Sequence, residues 1–277
     1  MPEIMLEDSD FKKFSRYVHD MCGINLHGGK KELVKARLGK IFRERDFKSL
    51  KDYYTHVIND KSGYELIRLL DSISTNLTYF FREPRHFEFL SKIAIPEIMN
   101  NKAHLRDNTL RFWSAGCSSG EEAYSIAIAL NEAIGNTDKW QIKILATDLS
   151  TKVLAIAKTG VYEKEKVKNI PYDLRRSYFQ KGYNKFSGYF RIKEKVKKNI
   201  SFQRVNFMED FHFAEPFDVI FCRNVMIYFD NSTREILIEK IYKHLIKGGH
   251  LFIGHAESLT WIKHHLKYIQ PSIYKKV

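Results

Sequence analysis

The residues best suited to chemistry lie in Leu110-Arg-Phe-Trp-Ser-Ala-Gly-Cys-Ser-Ser-Gly-Glu-Glu122. A glycine-bounded turn, Gly116 to Gly120, is followed at once by two carboxylates, Glu121 and Glu122. Three chemistries fit such a turn. A dinucleotide would rest its pyrophosphate on the N-terminus of the next helix, where the two acids would repel it. The spacing also reads G-x-S-x-G, a nucleophile elbow in which Ser118 would attack an ester. The third ligand, S-adenosylmethionine, offers ribose hydroxyls, an amino group and a sulfonium but no phosphate, so acids at the helix start suit it.

Asp148 bears on the choice. It ends the apolar run Gln141 to Thr147, 28 residues after Gly120, and an acid at the tip of a second strand is placed to grip a ribose diol. The alternative is a helix cap before Thr151, a role that Ser150 can fill instead. A hydrolase elbow needs no acid there. An elbow also normally follows several strands, whereas the chain before Leu110 reads mostly helical. Asn206, Arg223 and Asn224 follow further strand candidates, where side chains line the crevice of an open α/β sheet. His255 also sits at a strand end, where a lone histidine is more often structural. The segment Thr75-Asn-Leu-Thr-Tyr-Phe-Phe-Arg82 mixes hydrogen-bonding and aromatic residues with no clean period. It is either a site at a domain junction or a linker with Phe80 and Phe81 wedged between domains and Arg82 in a salt bridge.

These residues need a scaffold. Leu110 to Ala115 reads as a buried strand, and the following helix places Ala123, Ala127, Leu130 and Ile134 inward. Strand, glycine turn and helix form the ligand-cradling corner of a doubly wound α/β domain. Residues 11–22, 30–45, 50–59 and 63–74 have helical periods, giving a small all-helical domain over residues 1–75. Residues 76–90 form the linker, in which Pro84 opens a helix that turns Phe87, Leu90 and Ile93 inward until Pro96 interrupts or ends it. Residues 91–277 form the α/β domain. Short strands at 178–182, 187–192 and 200–205 suggest a small antiparallel β insert at about 176–200. Ser232-Thr-Arg-Glu235 reads as a capping box for a helix stopped by Gly248-Gly249, with strands at 250–254 and 272–277.

Composition narrows the class. The chain has 277 residues, 44% of them hydrophobic, so it can bury a core. No apolar run approaches the roughly 18–20 residues of a membrane span, and acidic Met1 to Asp10 is no signal peptide. Cys22, Cys117 and Cys222 are odd in number and far apart, which suits a reducing cytosol and gives no metal-ligand spacing. The net charge is +13. Residues 11–51 hold 12 Lys/Arg against 4 Asp/Glu and residues 181–204 hold 8 against 1, leaving −2 for the rest. Two basic stretches on a near-neutral body suit an acidic protein, nucleic acid or an anionic surface, or are solvated faces.

Together the segments 75–82, 113–128, 146–150, 217–229 and 249–257 resemble the CheR family, the chemotaxis receptor glutamate O-methyltransferases. The resemblance spans nearly the whole chain, with Ala123 where the family usually has Pro and Phe207 where it usually has Leu. It implies a Rossmann-like sheet binding S-adenosylmethionine, with S-adenosylhomocysteine as product and no metal. It implies Asn76, Thr78, Arg82, Glu122, Asp148, Asn206, Phe207, Arg223 and Asn224 as donor-binding residues, and Arg82 with Tyr228 as the pair holding the acceptor carboxylate. Arg37, Lys40 and Arg43 would read acidic receptor helices, and the β insert would dock a receptor C-terminal tether peptide in part of the family. The resemblance also implies a cytoplasmic enzyme recruited to membrane-bound receptor arrays. The competing readings are a Ser118 esterase, and a basic protein that binds or methylates nucleic acid. The latter lacks a recognisable reader module and an Asn/Asp-Pro-Pro-Tyr-like acceptor motif at Arg223-Asn-Val-Met.

Overall fold

The computed structural model describes residues 7–26, 28–135 and 139–277. Four helices come first: α1 (Asp8–Cys22), α2 (Lys31–Arg45), α3 (Leu50–Asn59) and α4 (Tyr64–Ile73). In α1, Phe11, Phe14, Val18 and Cys22 recur at helical spacing and are buried. Gly23, at φ +76°, ends α1 by donating its amide to His19. The Ser49 side chain caps α3 through the Asp52 amide.

An irregular stretch, residues 74–83, then leads into α5 (Pro84–Phe89), a π-helical turn (Leu90–Ala94) and α6 (Ile95–Leu105). Pro96 interrupts the α-helix without ending it, since α5 gives way to a π turn and the chain resumes as α6. A proline at 96 has no N–H for the Lys92 carbonyl and its ring would crowd it. The π turn, closed by the Ile95 amide on the Leu90 carbonyl, makes room. The extra residue also rotates Ile93 outward to 50% exposure, against the inward position expected for it.

The α/β unit follows: β1 (Thr109–Ala115), α7 (Glu121–Ile134), β2 (Gln141–Asp148), α8 (Thr151–Thr159), β3 (Val161–Glu163), α9 (Lys164–Val167), α10 (Tyr172–Tyr178), β4 (Phe179–Lys181), β5 (Tyr189–Ile192), α11 (Glu194–Lys197), β6 (Ile200–Arg204), β7 (Phe217–Cys222), α12 (Asn231–His244), β8 (Leu245–Ile253), β9 (Leu266–Gln270) and β10 (Ile273–Lys276). Seven strands form one sheet in the order β6-β2-β1-β7-β8-β10-β9. The first five are mutually parallel, and β10 runs antiparallel to both β8 and β9. Strand order reverses between β1 and β7, so the crevice outside their carboxyl ends is the expected ligand position.

Both faces of the sheet are covered, which explains its continuous apolar strands. Leu110, Phe112, Val219, Phe221 and Phe252 pack with α5, α6 and α7. Their neighbours Trp113, Ala115, Ile220, Cys222, Leu251 and Ile253 face the other way and share a core with α1 to α4. The first four helices are therefore built onto the sheet, and the chain ends of α1 and α4 reach the crevice.

Three expectations are corrected. The antiparallel insert is β3-β5-β4, residues 161–192, and Ile200–Arg204 is instead the edge strand of the main sheet, parallel to β2. The cap of α12 is Asp230, whose carboxylate accepts from the Thr233 amide, while Glu235 accepts from the Lys263 amide, so Ser232-Thr-Arg-Glu235 is no capping box. The helix yields to β8 at Leu245, before the glycine pair, and β9 is an additional strand.

Candidate active site

The turn after β1 is shaped by close approaches. Gly116 has φ +87°, and a Cβ there would come within 2.4 Å of Val225 Cγ2. Gly120 has φ +95°, with Ala157 Cβ 2.9 Å from the same imagined atom. The Gly116 and Cys117 amides both donate to the Thr147 carbonyl at 2.8 Å, so the turn hangs from the end of β2. Burial, then the nearby Asp148 and Glu122 carboxylates, push the Cys117 thiol well above its usual range, so it stays protonated and unreactive.

A cavity opens over this turn. Asn76, Thr78, Arg82, Glu122, Asp148, Asn206, Phe207, Arg223, Asn224 and Tyr228 all line it, so the sequence-derived donor and acceptor residues meet in one place. Asp148 takes the Ser118 amide on Oδ2 at 2.8 Å and the Ser150 amide on Oδ1 at 2.9 Å. Ser150 is the cap of α8, through the Val153 amide, which leaves Asp148 free of that task. Burial raises the Asp148 carboxyl above its usual range, and the amides of Ser150, Ser118 and Leu149 pull against it.

The two glutamates part company. Glu121 is fully buried and holds Lys166 at 3.0 Å, and Lys166 also donates to the Thr78 carbonyl. Glu122 faces the cavity: Ser114 Oγ donates to its Oε1 at 2.7 Å, and Arg223 Nη1 lies 3.5 Å from its Oε2. Burial raises Glu122 too, against the pull of Arg223. Arg223 is 4% exposed, lies 5.8 Å over the Phe87 and Phe221 rings, and reaches Glu83 Oε2 at 3.2 Å and the Arg82 carbonyl. One guanidinium thus ties helix α7, the linker and the loop after β7.

Arg82 lies at the cavity's linker side. It donates to the Leu77 carbonyl at 3.1 Å, with its guanidinium 5.8 Å over the Tyr79 ring. Leu77 and Tyr79, 75% and 51% exposed, mark the mouth. Tyr228 is half-buried, with Lys30 Nζ 5.9 Å over its ring and its carbonyl accepting from the Asn25 amide. Asn206 donates to the Met21 carbonyl at 2.6 Å and to Glu209, while accepting from the Met208 amide, so its side chain fixes the wall next to Phe207.

The basic helix residues fall elsewhere. Arg37 is turned onto the start of the linker, donating to the Ile73 carbonyl and to Thr75 Oγ1. Arg43 is exposed on α2, away from the cavity lining. The Lys40 side chain lies outside the described part of the structure.

Cys22, Ile24, Ile73 and Ser74, at the ends of α1 and α4, also line the cavity, and sequence reasoning did not anticipate them. Their local pattern reads only as helix ends. Glu83 and Glu257, which hold Arg223 and the Asn224 amide, were likewise not singled out, although Glu257 closes one of the five matching segments.

Two other chemistries fare poorly. Ser118 Oγ donates to the Asn76 carbonyl, and among the described residues no histidine lines the cavity to act as a base for an elbow serine. Glu83, His86 and His255 bring ligand atoms within 4.8 Å of one another, but Glu83 already faces Arg223 and accepts from the His255 amide, and that guanidinium would repel a metal cation.

Comparison with known proteins then decides the family. The CheR methyltransferase SAM-binding domain matches residues 76–275, and the CheR methyltransferase all-alpha domain matches residues 9–74. The chain belongs to the CheR methyltransferase family. Within it, the chemotaxis protein methyltransferase of Borreliella burgdorferi is 39% identical over 99% of this chain and 96% of that protein. Chemotaxis protein methyltransferase 2 of Pseudomonas aeruginosa is 36% identical over 96% of this chain and 92% of its own. The Escherichia coli chemotaxis protein methyltransferase is 32% identical over 98% and 92%. A solved SAM-dependent methyltransferase from Methanosarcina mazei, at 15% identity and TM-score 0.33 over 53% of this chain and 52% of that chain, is too loosely superposed to add weight. As a CheR methyltransferase, the chain is an S-adenosylmethionine-dependent enzyme, and the esterase and nucleic-acid readings are not favoured. No helix of the described residues is long and apolar enough to cross a membrane.

Proposed function

We propose that this chain moves the methyl group of S-adenosylmethionine onto glutamate side-chain carboxylates of bacterial chemoreceptors, giving glutamate methyl esters. The observation that supports it most is that one cavity joins two acids, Glu122 in the first turn of α7 and Asp148 at the tip of β2, to Arg82 and Tyr228. Asp148 and the linker residues Asn76 and Thr78 would hold the ribose side of the donor. Glu122 would attract its ammonium group, and Phe207 with Asn206 would wall the adenine. Arg223 Nε and Nη1 are buried without a hydrogen-bond partner, which suits a donor carboxylate.

An ionised carboxylate is already a nucleophile, so no general base is needed. Its oxygen attacks the methyl carbon, the carbon–sulfur bond breaks, and the products are an ester and a neutral thioether. Charge disappears along this path, so a water-poor pocket favours it over the solvated ground state. Positioning is then the main task. Arg82 would exchange the Leu77 carbonyl for the incoming carboxylate, and the Tyr228 hydroxyl would fix its second oxygen. The single contact Arg82 makes to a neutral carbonyl is one a carboxylate can displace.

In this reading residues 1–75 meet the receptor through Arg37, Lys40 and Arg43, residues 76–90 supply Arg82, and residues 91–277 hold the donor. The β insert exposes Tyr183 and Phe186 beside Lys181 and Lys185, a surface suited to a receptor C-terminal tether peptide. The enzyme would work in the cytoplasm at receptor arrays. Incubation with methyl-labelled S-adenosylmethionine and receptor-bearing membranes tests the proposal. Label in the receptor that alkali releases as methanol supports it, and alkali-stable label or none overturns it.

A further inference from the structure

Glu257 stands where two loops of the crevice meet. The parallel strands β7 and β8 end side by side, with Cys222 paired to Ile253. The loop after β7 carries Arg223, Asn224 and Tyr228, and the loop after β8 carries Gly254 and Glu257. Glu257 Oε2 accepts from the Gly254 amide at 2.6 Å and the Asn224 amide at 2.9 Å, and its Oε1 is 3.3 Å from the Ile227 amide. Among the described residues no cation lies within ion-pairing distance of it, so backbone N–H groups alone offset its charge. Asn224 sits at φ +59°, a left-handed conformation that asparagine tolerates better than most residues, and the Glu257 carboxylate holds its amide there. The approach is close enough that a Cβ on Gly254 would stand 2.5 Å from Asn224 Nδ2.

We infer that Glu257 is a positioning residue, whose carboxylate clamps both ends of the 224–227 backbone so that Asn224 faces the donor and Tyr228 faces the acceptor. It touches neither reactant. This rests on the donor and acceptor roles proposed above for that loop. A carboxylate is required because both oxygens must accept and neither may donate. A glutamine would turn an NH₂ group toward at least one backbone N–H, leaving a donor facing a donor. An aspartate keeps the charge but is one carbon too short to span both loops.

The test is a double-mutant cycle on the full chain, with S-adenosylhomocysteine affinity read by calorimetry. Glu257→Gln should weaken binding about 10-fold, as expected for lost charge-assisted bonds of about 1.5 kcal/mol. In an Asn224→Ala background the same change should cost less than about 2-fold, because the group it positions is gone. Equal losses in both backgrounds, the pattern of a general loosening of the fold, would overturn the inference. So would an unchanged affinity in the single variant. If Glu257→Gln does not fold, Glu257→Asp carries the same cycle. Hydrogen exchange of the Asn224 and Ile227 amides, measured without ligand, separates this inference from the donor reading. Those two amides should lose protection in the variant while strand β8 keeps its own. Failure of the wild type to bind S-adenosylhomocysteine would count against the proposed function, whereas unchanged exchange at both amides would count against the clamp.

Discussion

The Ser118 amide donates to Asp148 Oδ2 at 2.8 Å, joining the turn after β1 to the tip of β2. One oxygen of the acid that the ribose would meet is thus committed to shaping the glycine turn. Replacing Asp148 by Ala should remove a ligand contact and loosen the turn together. Bonds to a charged acceptor contribute about 1.5–3 kcal/mol each. S-adenosylhomocysteine affinity should therefore fall about 10- to 100-fold by calorimetry, with turnover at saturating donor falling much less. An unchanged dissociation constant would remove Asp148 from the donor site.

Glu122 makes a prediction about pH. Its carboxyl is raised by burial, against the pull of Arg223. A raised acid binds its proton more tightly folded than unfolded. The folded state therefore loses stability as pH climbs through that interval, and keeps it below the unfolded value. A cationic donor has the opposite preference, since it needs Glu122 ionised. Donor affinity should fall as pH drops through the raised value of Glu122. Glu122→Gln should weaken binding at neutral pH and flatten that dependence. Calorimetry of both proteins over a pH series that climbs from the ordinary carboxylate range checks this. A variant with wild-type pH dependence would show that another group is responsible.

Arg82 and the linker give a third prediction. Among the described residues its guanidinium touches the Leu77 carbonyl and the Tyr79 ring, both at the mouth. Arg82→Ala should lower turnover on receptor membranes by about 100-fold or more, the scale of mispositioning a reactant. Binding of S-adenosylhomocysteine should change by only a few-fold. Near-normal turnover would end its assignment to the acceptor carboxylate.

Arg37 and Arg43 lie on the same helix but should behave differently. Arg37 holds the Ile73 carbonyl and Thr75 Oγ1, at the start of the segment that lines the cavity. Arg37→Ala should weaken both S-adenosylhomocysteine binding, by about 5-fold or about 1 kcal/mol of lost hydrogen bonding, and receptor methylation. Arg43→Ala should lower receptor methylation alone. If both substitutions leave S-adenosylhomocysteine affinity untouched, the linker does not depend on α2.

How much of this was legible beforehand follows the range of the forces involved. The β1–turn–α7 corner was readable because an apolar run, glycines and helix period all lie within one short stretch of chain. The place of Asp148 in the cavity wall was readable because it closes the apolar run of β2, and Ser150 rather than Asp148 caps α8. The third strand of the insert was not. Residues 200–204 look the same whether they pair with β5 or with β2, and only the packed sheet selects the parallel partner. The cap of α12 was missed because Asp230 lies just before a stretch that itself resembles a cap, and tertiary demand from the Lys263 amide took Glu235 away. The part played by α1 and α4 in lining the cavity was invisible for a related reason. Cys22, Ile24 and Ile73 read only as helix ends, and they become cavity wall because these helices share a core with the sheet.

The most direct test of the central claim is a crystal structure of this chain with S-adenosylhomocysteine. The account predicts the ligand against Ser114 to Glu122, its ribose on Asp148, and its sulfur opening toward Arg82 and Tyr228. Finding it bound anywhere else on the molecule would contradict the account.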